Sequence, residues 1–371
     1  MNRFYPPTRV LMGPGPSDIH PRVLQAMSMP TIGHLDPVFV DLMEEVKSQL
    51  KKVFVTDNKL TFPVSAPGSA GMETCFVNLV EPGDKVIVCQ NGVFGMRMEE
   101  NVIRCGGTPI IVKDDWGRAV DVQKVEQAMA NHPDASCLAF VHAETSTGAL
   151  SDAKKLCQLA DKNQMISIVD TVTSLAGVPV LVDEWGMDAV YSGTQKCMSC
   201  VPGLSPVTFS DKATSKIKNR KSKVQSWFLD LNLVMNYWNS DGKRSYHHTA
   251  PVNSIYALHE SLCLLLEEGL EASWKRHSDM HQLLKTGLES RGIEFIVPEN
   301  ERLPQLNAVK IPSGVDDGKF RGELLQRYGI EIGAGLGPFA GTIWRIGLMG
   351  QSAGIKNVNT LLSAFTDLGV K

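Results

Sequence analysis

Between residues 85 and 191 the chain alternates two hydrophobic rhythms. Short apolar runs at 85–89, 108–112, 137–141, 165–169 and 188–191 have the length and unbroken apolar character of strands buried on both faces. Between them, stretches such as 120–131 and 152–162 carry apolar residues at helical spacing. Strands alternating with helices of this length predict an α/β domain on a mostly parallel sheet. In such sheets ligands sit at the carboxyl ends of the strands, so the residues just after each strand are the candidates for chemistry. From about residue 255 the rhythm changes. Helical stretches at 254–269 and 273–291 precede short strands at 293–297 and 305–311, a helix at 319–328 and a strand at 342–347. This predicts an N-terminal segment at 1–20, a large domain at 21–255 and a smaller α+β domain at 256–371.

Composition changes this picture little. A chain of 371 residues suits two domains better than one core. A net charge of −3 gives no general attraction to nucleic acid or an anionic membrane, so neither is expected as a partner. The basic run Lys212, Lys216, Lys218, Arg220, Lys221 and Lys223 has no aromatic interleaved and reads as a solvated face. No window reaches about 18 uninterrupted apolar residues, the length of a membrane span. The N-terminal stretch lacks the apolar core of a secretory signal. Of the eight cysteines, only Cys197 and Cys200 form a CxxC. With no second pair and no histidine cluster, no metal is expected, and free thiols in a cytoplasmic compartment are.

The strand ends carry the chemistry. Asp170 follows one apolar run, in "SIVDTVTS"; Lys196 follows another, in the polar turn of "YSGTQKCMSC". Such a pair is either a structural ion pair or the Schiff-base lysine and ring-nitrogen carboxylate of a pyridoxal phosphate site. The second reading makes demands that other segments can meet. "VSAPGSAGMET" at 64–74 offers a Gly- and Ser-rich turn leading into a helix, which is either an ordinary turn or an anion site. Phe94 stands just past a strand, where it is core packing or a ring contact. Thr145, Ser146 and Thr147 supply hydroxyls after another strand, as loop caps or cofactor donors. Arg345 lies inside an apolar strand, where its fork holds either an internal carboxylate or that of a substrate.

Together these residues resemble the class V aminotransferases, pyridoxal-phosphate enzymes of fold type I, and within them the alanine–glyoxylate and serine–pyruvate group. The resemblance covers nearly the whole chain. It rests on "LMGPGPS" at 11–17, "VNLVEPGD" at 77–84, "NGVFGMR" at 91–97, "HAETSTG" at 142–148, "VDTVTSLAG" at 169–177, "YSGTQK" at 191–196, "YHHTAPV" at 246–252 and "WRIGLMG" at 344–350. It implies a seven-stranded, mostly parallel sheet with pyridoxal phosphate as cofactor. Lys196 resembles the lysine that forms the internal aldimine and moves the α proton. Asp170 resembles the ring-nitrogen partner, Val172 the side chain beneath the ring, and Thr145 the hydroxyl near the ring oxygen. Gly68, Ser69 and Gln195 resemble phosphate ligands. Phe94 stands where a stacking tryptophan is usual, and the turn "APGSAG" departs from the more usual Ser-Gly-Ser-Gly-His. Tyr246 and Thr249 resemble residues that reach the phosphate from a second subunit, implying a homodimer with shared sites, and the 1–20 segment is expected to contact that subunit. Arg345 resembles the substrate carboxylate clamp and Gly15 part of the substrate-side loop, while His34 is either a substrate-side residue found in only part of the family or a loop histidine with no ligand. The reaction implied is ping-pong transfer from alanine or serine to glyoxylate or pyruvate. Aspartate, kynurenine-type or aminophosphonate donors, and a lyase or desulfurase reaction, are the alternatives.

Overall fold

The computed structural model describes residues 3–238 and 244–370. Its main sheet has seven strands: β1 (Leu60–Val64), β2 (Lys85–Gln90), β3 (Thr108–Lys113), β4 (Ala135–Val141), β5 (Ile166–Asp170), β6 (Ala189–Tyr191) and β7 (Ser205–Phe209). They lie in the order β1-β7-β6-β5-β4-β2-β3. Strands β2 to β6 pair in parallel, while β7 runs antiparallel to both β1 and β6. The chain is thus α/β, with a mixed but mainly parallel sheet. Every residue of β1, β5, β6 and β7 is buried. Cover on both faces is why these runs read as continuous apolar stretches rather than alternating ones.

Helices cover the sheet: α1 (Pro37–Phe54), α2 (Gly68–Leu79), α3 (Val93–Arg104) and α4 (Val252–Glu268) position the parts that matter below. α1 begins at Asp36, whose carboxylate accepts the Val38 N–H, with Pro37 in the first turn. It buries Phe39, Met43, Val46, Leu50 and Val53, a stripe at steps of three and four. The buried face of α4 joins this first core. A second core gathers around Leu284, Leu288, Trp344, Ile346, Leu361 and Phe365. It lies between helices α5 (Leu270–Glu289) and α6 (Ile355–Asp367) and an antiparallel sheet of β8 (Leu306–Lys310), β9 (Gly333–Ala334) and β10 (Ile343–Gly347), with β10 central. Near the N-terminus, Val10 and Leu11 pair in parallel with Ile330 and Glu331, and Met12 enters this second core.

Some expectations needed correction. The stretch 293–297 is not a strand; it touches β8 through one bridge, Phe295 to Val309, before Pro298 turns it away. The helix expected at 319–328 starts earlier, over Asp317–Glu323, then widens into a π turn over Leu324–Tyr328 that ends at Gly329 with φ 68°. Strands β1 and β7 went unpredicted. Each carries a proline, and Pro63 and Pro206 sit opposite one another in the register, at a rung where the Pro206 carbonyl turns away from β1 to accept the Ser192 N–H, so the β1–β7 ladder needs no N–H donor from either. The basic run is a solvated face at Lys218, Lys221 and Lys223, which are exposed, but Lys216 pairs with Asp84 and Arg220 donates to the carbonyls of Asn78 and Val80. Among the described residues no helix is long and apolar enough to cross a membrane, and no group of three or more His, Cys, Asp or Glu is placed to hold a metal.

Candidate active site

At the carboxyl ends of β4, β5 and β6 the chain encloses a cavity of about 230 Å³. Gly68, Ser69, Phe94, Thr145, Asp170, Val172, Gln195 and Lys196 all line it, together with Met72, Arg97 and Tyr191. Residues spread over more than a hundred positions therefore meet in one place.

Asp170 is the last residue of β5 and is buried. Its Oδ1 accepts the Val172 N–H at 2.8 Å and its Oδ2 accepts the Tyr191 hydroxyl at 2.7 Å. Burial pushes its carboxyl up to about 7, against these two donors. Lys196 follows β6 in a turn clamped by the N-terminal segment: Ser17 donates its N–H to the Gln195 carbonyl and its hydroxyl to the Lys196 carbonyl. The Lys196 ammonium donates to the carbonyl of Pro14. Burial lowers its pKa to about 8, with Arg345 adding to the effect. Among the described residues Lys196 and Asp170 form no ion pair with each other, so the structural-pair alternative is not what the fold builds. Gly15 packs against Lys196 at a φ of 105°, and a Cβ there would overlap the lysine Nζ and come within 2.7 Å of its Cδ.

The far end of the cavity suits an anion. α2 starts at Gly68 after Pro67, and no side chain caps it, so its first N–H groups remain free for a ligand. Gln195 brings a buried amide oxygen that finds no partner. Since amide oxygen and nitrogen can exchange places, this end can turn a donor toward a phosphate. Phe94 and Val172 provide apolar wall, and the Arg97 guanidinium lies 4.9 Å from the Phe94 ring centre.

Arg345, on β10, is buried without a carboxylate in ion-pair range among the described residues. Its Nε donates to the Ala334 carbonyl at 2.7 Å and its Nη1 to the Thr145 carbonyl at 3.1 Å. The internal salt bridge open to it from sequence is not made. Tyr246 and Thr249 are exposed and do not line the cavity of their own chain. His34 also lies outside it: its Nδ1 is 2.9 Å from the Tyr237 hydroxyl, and its ring is 5.5 Å from that of Tyr246. Cys197 and Cys200 are buried, and burial pushes both thiols up to about 12. Neither is an available nucleophile of the kind a desulfurase needs.

Among the site residues that sequence reading missed, Tyr191 and Glu144 matter most. Tyr191 read only as the end of an apolar strand. Glu144, in "HAETSTG", is fully buried; it accepts the N–H groups of Phe94 and Ser146 and the Ser146 hydroxyl. A carboxylate between two strand-end turns was the available signal.

The profile of the class V aminotransferases matches residues 10–341. The chain belongs to the class V aminotransferases. This aminotransferase is 40% identical over 363 residues to the alanine–glyoxylate aminotransferase of Oryctolagus cuniculus, an alignment covering 97% of this chain and 92% of that protein. The crystal structure of alanine–glyoxylate aminotransferase from Nostoc sp. superposes with a TM-score of 0.97 at 43% identity, covering 99% and 97% of the two chains. The ureidoglycine–glyoxylate aminotransferase of Bacillus subtilis superposes with a TM-score of 0.96 at 34% identity, covering 99% and 94%. Enzymes of this family use pyridoxal phosphate, and the residues present fit it. A buried carboxylate without a cation, an uncapped helix start and an unpartnered amide line one cavity beside a lysine of lowered basicity.

Proposed function

We propose that this aminotransferase holds pyridoxal phosphate in the cavity and moves the amino group of a small amino acid, alanine or serine, to glyoxylate or pyruvate. The observation that carries the reading is that Lys196 and Asp170 line one cavity, with Arg345 held next to it on the Thr145 carbonyl. When bound, the cofactor supplies a carbonyl that takes the amino group and a ring that accepts the electron pair left by the departing α proton. Asp170 offers the ring nitrogen a charge in a water-poor setting, where it acts at close to full strength. The α2 start and Gln195 hold the phosphate. Arg345, pinned by the Ala334 and Thr145 carbonyls, presents its remaining N–H groups to the substrate carboxylate and so orients the α-carbon. Lys196, whose amine is brought to about 8, spends enough time neutral to take the proton from that carbon and later return it. Two half-reactions through one site give ping-pong kinetics.

Both glyoxylate transaminases above carry that acceptor in their names, which supports glyoxylate here. A cavity of about 230 Å³ must take cofactor and substrate together, which favours donors of few atoms. Tyr246 and Thr249, exposed on their own chain, are assigned to the cavity of a second copy in a homodimer with shared sites. The eight free cysteines, seven of them buried, agree with a reducing cytoplasmic setting.

The test is spectroscopic. Cofactor-loaded protein mixed with alanine or serine, without an oxo-acid, should pass from the absorbance of the aldehyde form to that of the amine form, and glyoxylate or pyruvate should reverse the change. Lys196→Ala should abolish turnover. An unchanged spectrum with every amino acid tried would rule the reading out.

A further inference from the structure

We infer that Tyr191 is a positioning residue of this site: its hydroxyl donates to Asp170 and keeps that carboxylate charged and oriented toward the cofactor's ring nitrogen. The inference rests on the role given to Asp170 above. Asp170 and Tyr191 are register partners on β5 and β6, adjacent parallel strands, so their side chains leave the sheet on the same side. Tyr191 is wholly buried, and its hydroxyl lies 2.7 Å from Oδ2. With the Val172 N–H on Oδ1, each carboxylate oxygen holds one donor, and the group is fixed against rotation.

The neighbours of Asp170 leave this task to Tyr191. From the loop after β4 comes Glu144, whose negative charge opposes a second one. Cys75, from α2, is a thiol kept neutral by burial. Lys196, from the turn after β6, favours the charged carboxylate but weakly beside the cost of burial. Even with both donors in place, burial brings the carboxyl to about 7. The phenol is itself pushed up by burial and by Asp170, so it remains a donor throughout the working range. Removing the hydroxyl would raise that value further, so Asp170 would stay protonated through neutral pH and lose its charge against the ring.

The experiment is the dissociation constant of pyridoxal phosphate for wild type and Tyr191→Phe, measured by absorbance titration from pH 6 to pH 9. Near-UV circular dichroism checks that the variant is folded. At pH 6.5 the variant should bind about ten-fold more weakly or worse, the scale of a hydrogen bond to a charged group. That ratio should shrink as pH rises and Asp170 ionises regardless. Ionisation of the free cofactor cancels from the ratio. In an Asp170→Asn background, Tyr191→Phe should have no further effect. A ratio of one, a ratio flat with pH, or one that persists in the Asn background would overturn the inference. If Asp170→Asn alone binds as wild type does at every pH, the role given to Asp170 fails instead, which is a distinguishable result.

Discussion

Arg345 shows how much one residue can say before the fold is known. An arginine inside an apolar strand demands a partner. The structure gives it two backbone carbonyls and, among the described residues, no carboxylate, so its charge is oriented but not neutralised there. Arg345→Lys keeps the charge and loses the planar fork; one ammonium cannot reach both the Ala334 and Thr145 carbonyls and still meet a substrate in two-point contact. Steady-state kinetics should show KM for the amino donor raised roughly ten-fold or more, with a smaller change in kcat, since the lost bonds hold substrate and transition state alike. An unchanged KM would place the carboxylate elsewhere. Lys196 and Asp170 were legible from sequence because each stands just past the end of an apolar run, where a parallel sheet places its ligands, and Arg345 because its charge lies inside one. Tyr191 was not, because its ring satisfies the apolar pattern and only its hydroxyl, bonded to Asp170, departs from it.

At the scale of elements, the parallel strands and the helices between them were legible because their apolar runs are unbroken. The antiparallel pair β1 and β7 was hidden by Pro63 and Pro206, which mark each run as a poor strand when read alone and make sense only opposite each other. How elements lock together was hidden too, and Glu144 is the main instance. Its carboxylate accepts from the first turn of α3 and from the Ser146 N–H and hydroxyl, so it ties the helix bearing Phe94 to the loop bearing Thr145. Gly92 is where these parts meet, and a Cβ there would overlap Glu144 and Ser146. Every partner of Glu144 is a donor, so it serves as a carboxylate although burial pushes its pKa up. Glu144→Ala would leave several buried donors unpaired and cost about 3 kcal/mol of stability, at roughly 1–3 kcal/mol for each unmet group after relaxation. A lowered thermal midpoint should come with weaker pyridoxal phosphate binding, because Phe94 and Thr145 lose their common anchor. Glu144→Gln, which keeps one acceptor, should fall between. A drop in midpoint with cofactor affinity intact would mean that Glu144 braces the fold alone.

Across the whole molecule, the two cores and the segment between them meet at the turn holding Lys196, and a buried histidine ties that meeting to pH. His277, on α5, lies fully buried with Nδ1 2.7 Å from the Ser273 carbonyl, and its Nε2 accepts the Gly350 N–H at 2.9 Å. A ring that donates on one side and accepts on the other is neutral, and burial, with Arg276 beside it, lowers its pKa to about 4. His142, buried beside Trp185, is lowered to about 4 by burial as well. The sign follows from linkage. In the unfolded chain these rings titrate near about 6.5, so between about 6.5 and 4 the unfolded state binds more protons. Their contribution to stability is whole above about 6.5 and is lost as pH falls toward 4. Each amounts to something on the order of 3 kcal/mol at pH 4, a large share of an ordinary net stability. Asp170 runs the other way without cofactor: its raised pKa makes folding more favourable below about 7, which softens the acid loss but cannot cancel two histidines. The chain should therefore unfold cooperatively on acidification from pH 6 to pH 4, followed by far-UV circular dichroism. Gly350 sits where an added Cβ would overlap Ser199, three residues from Lys196, so the cofactor's visible band should disappear in the same transition. His277→Gln can still accept from Gly350 and donate to Ser273 but takes up no proton. It should shift the midpoint to lower pH by several tenths of a unit, and an unmoved midpoint would assign the acid sensitivity to other groups.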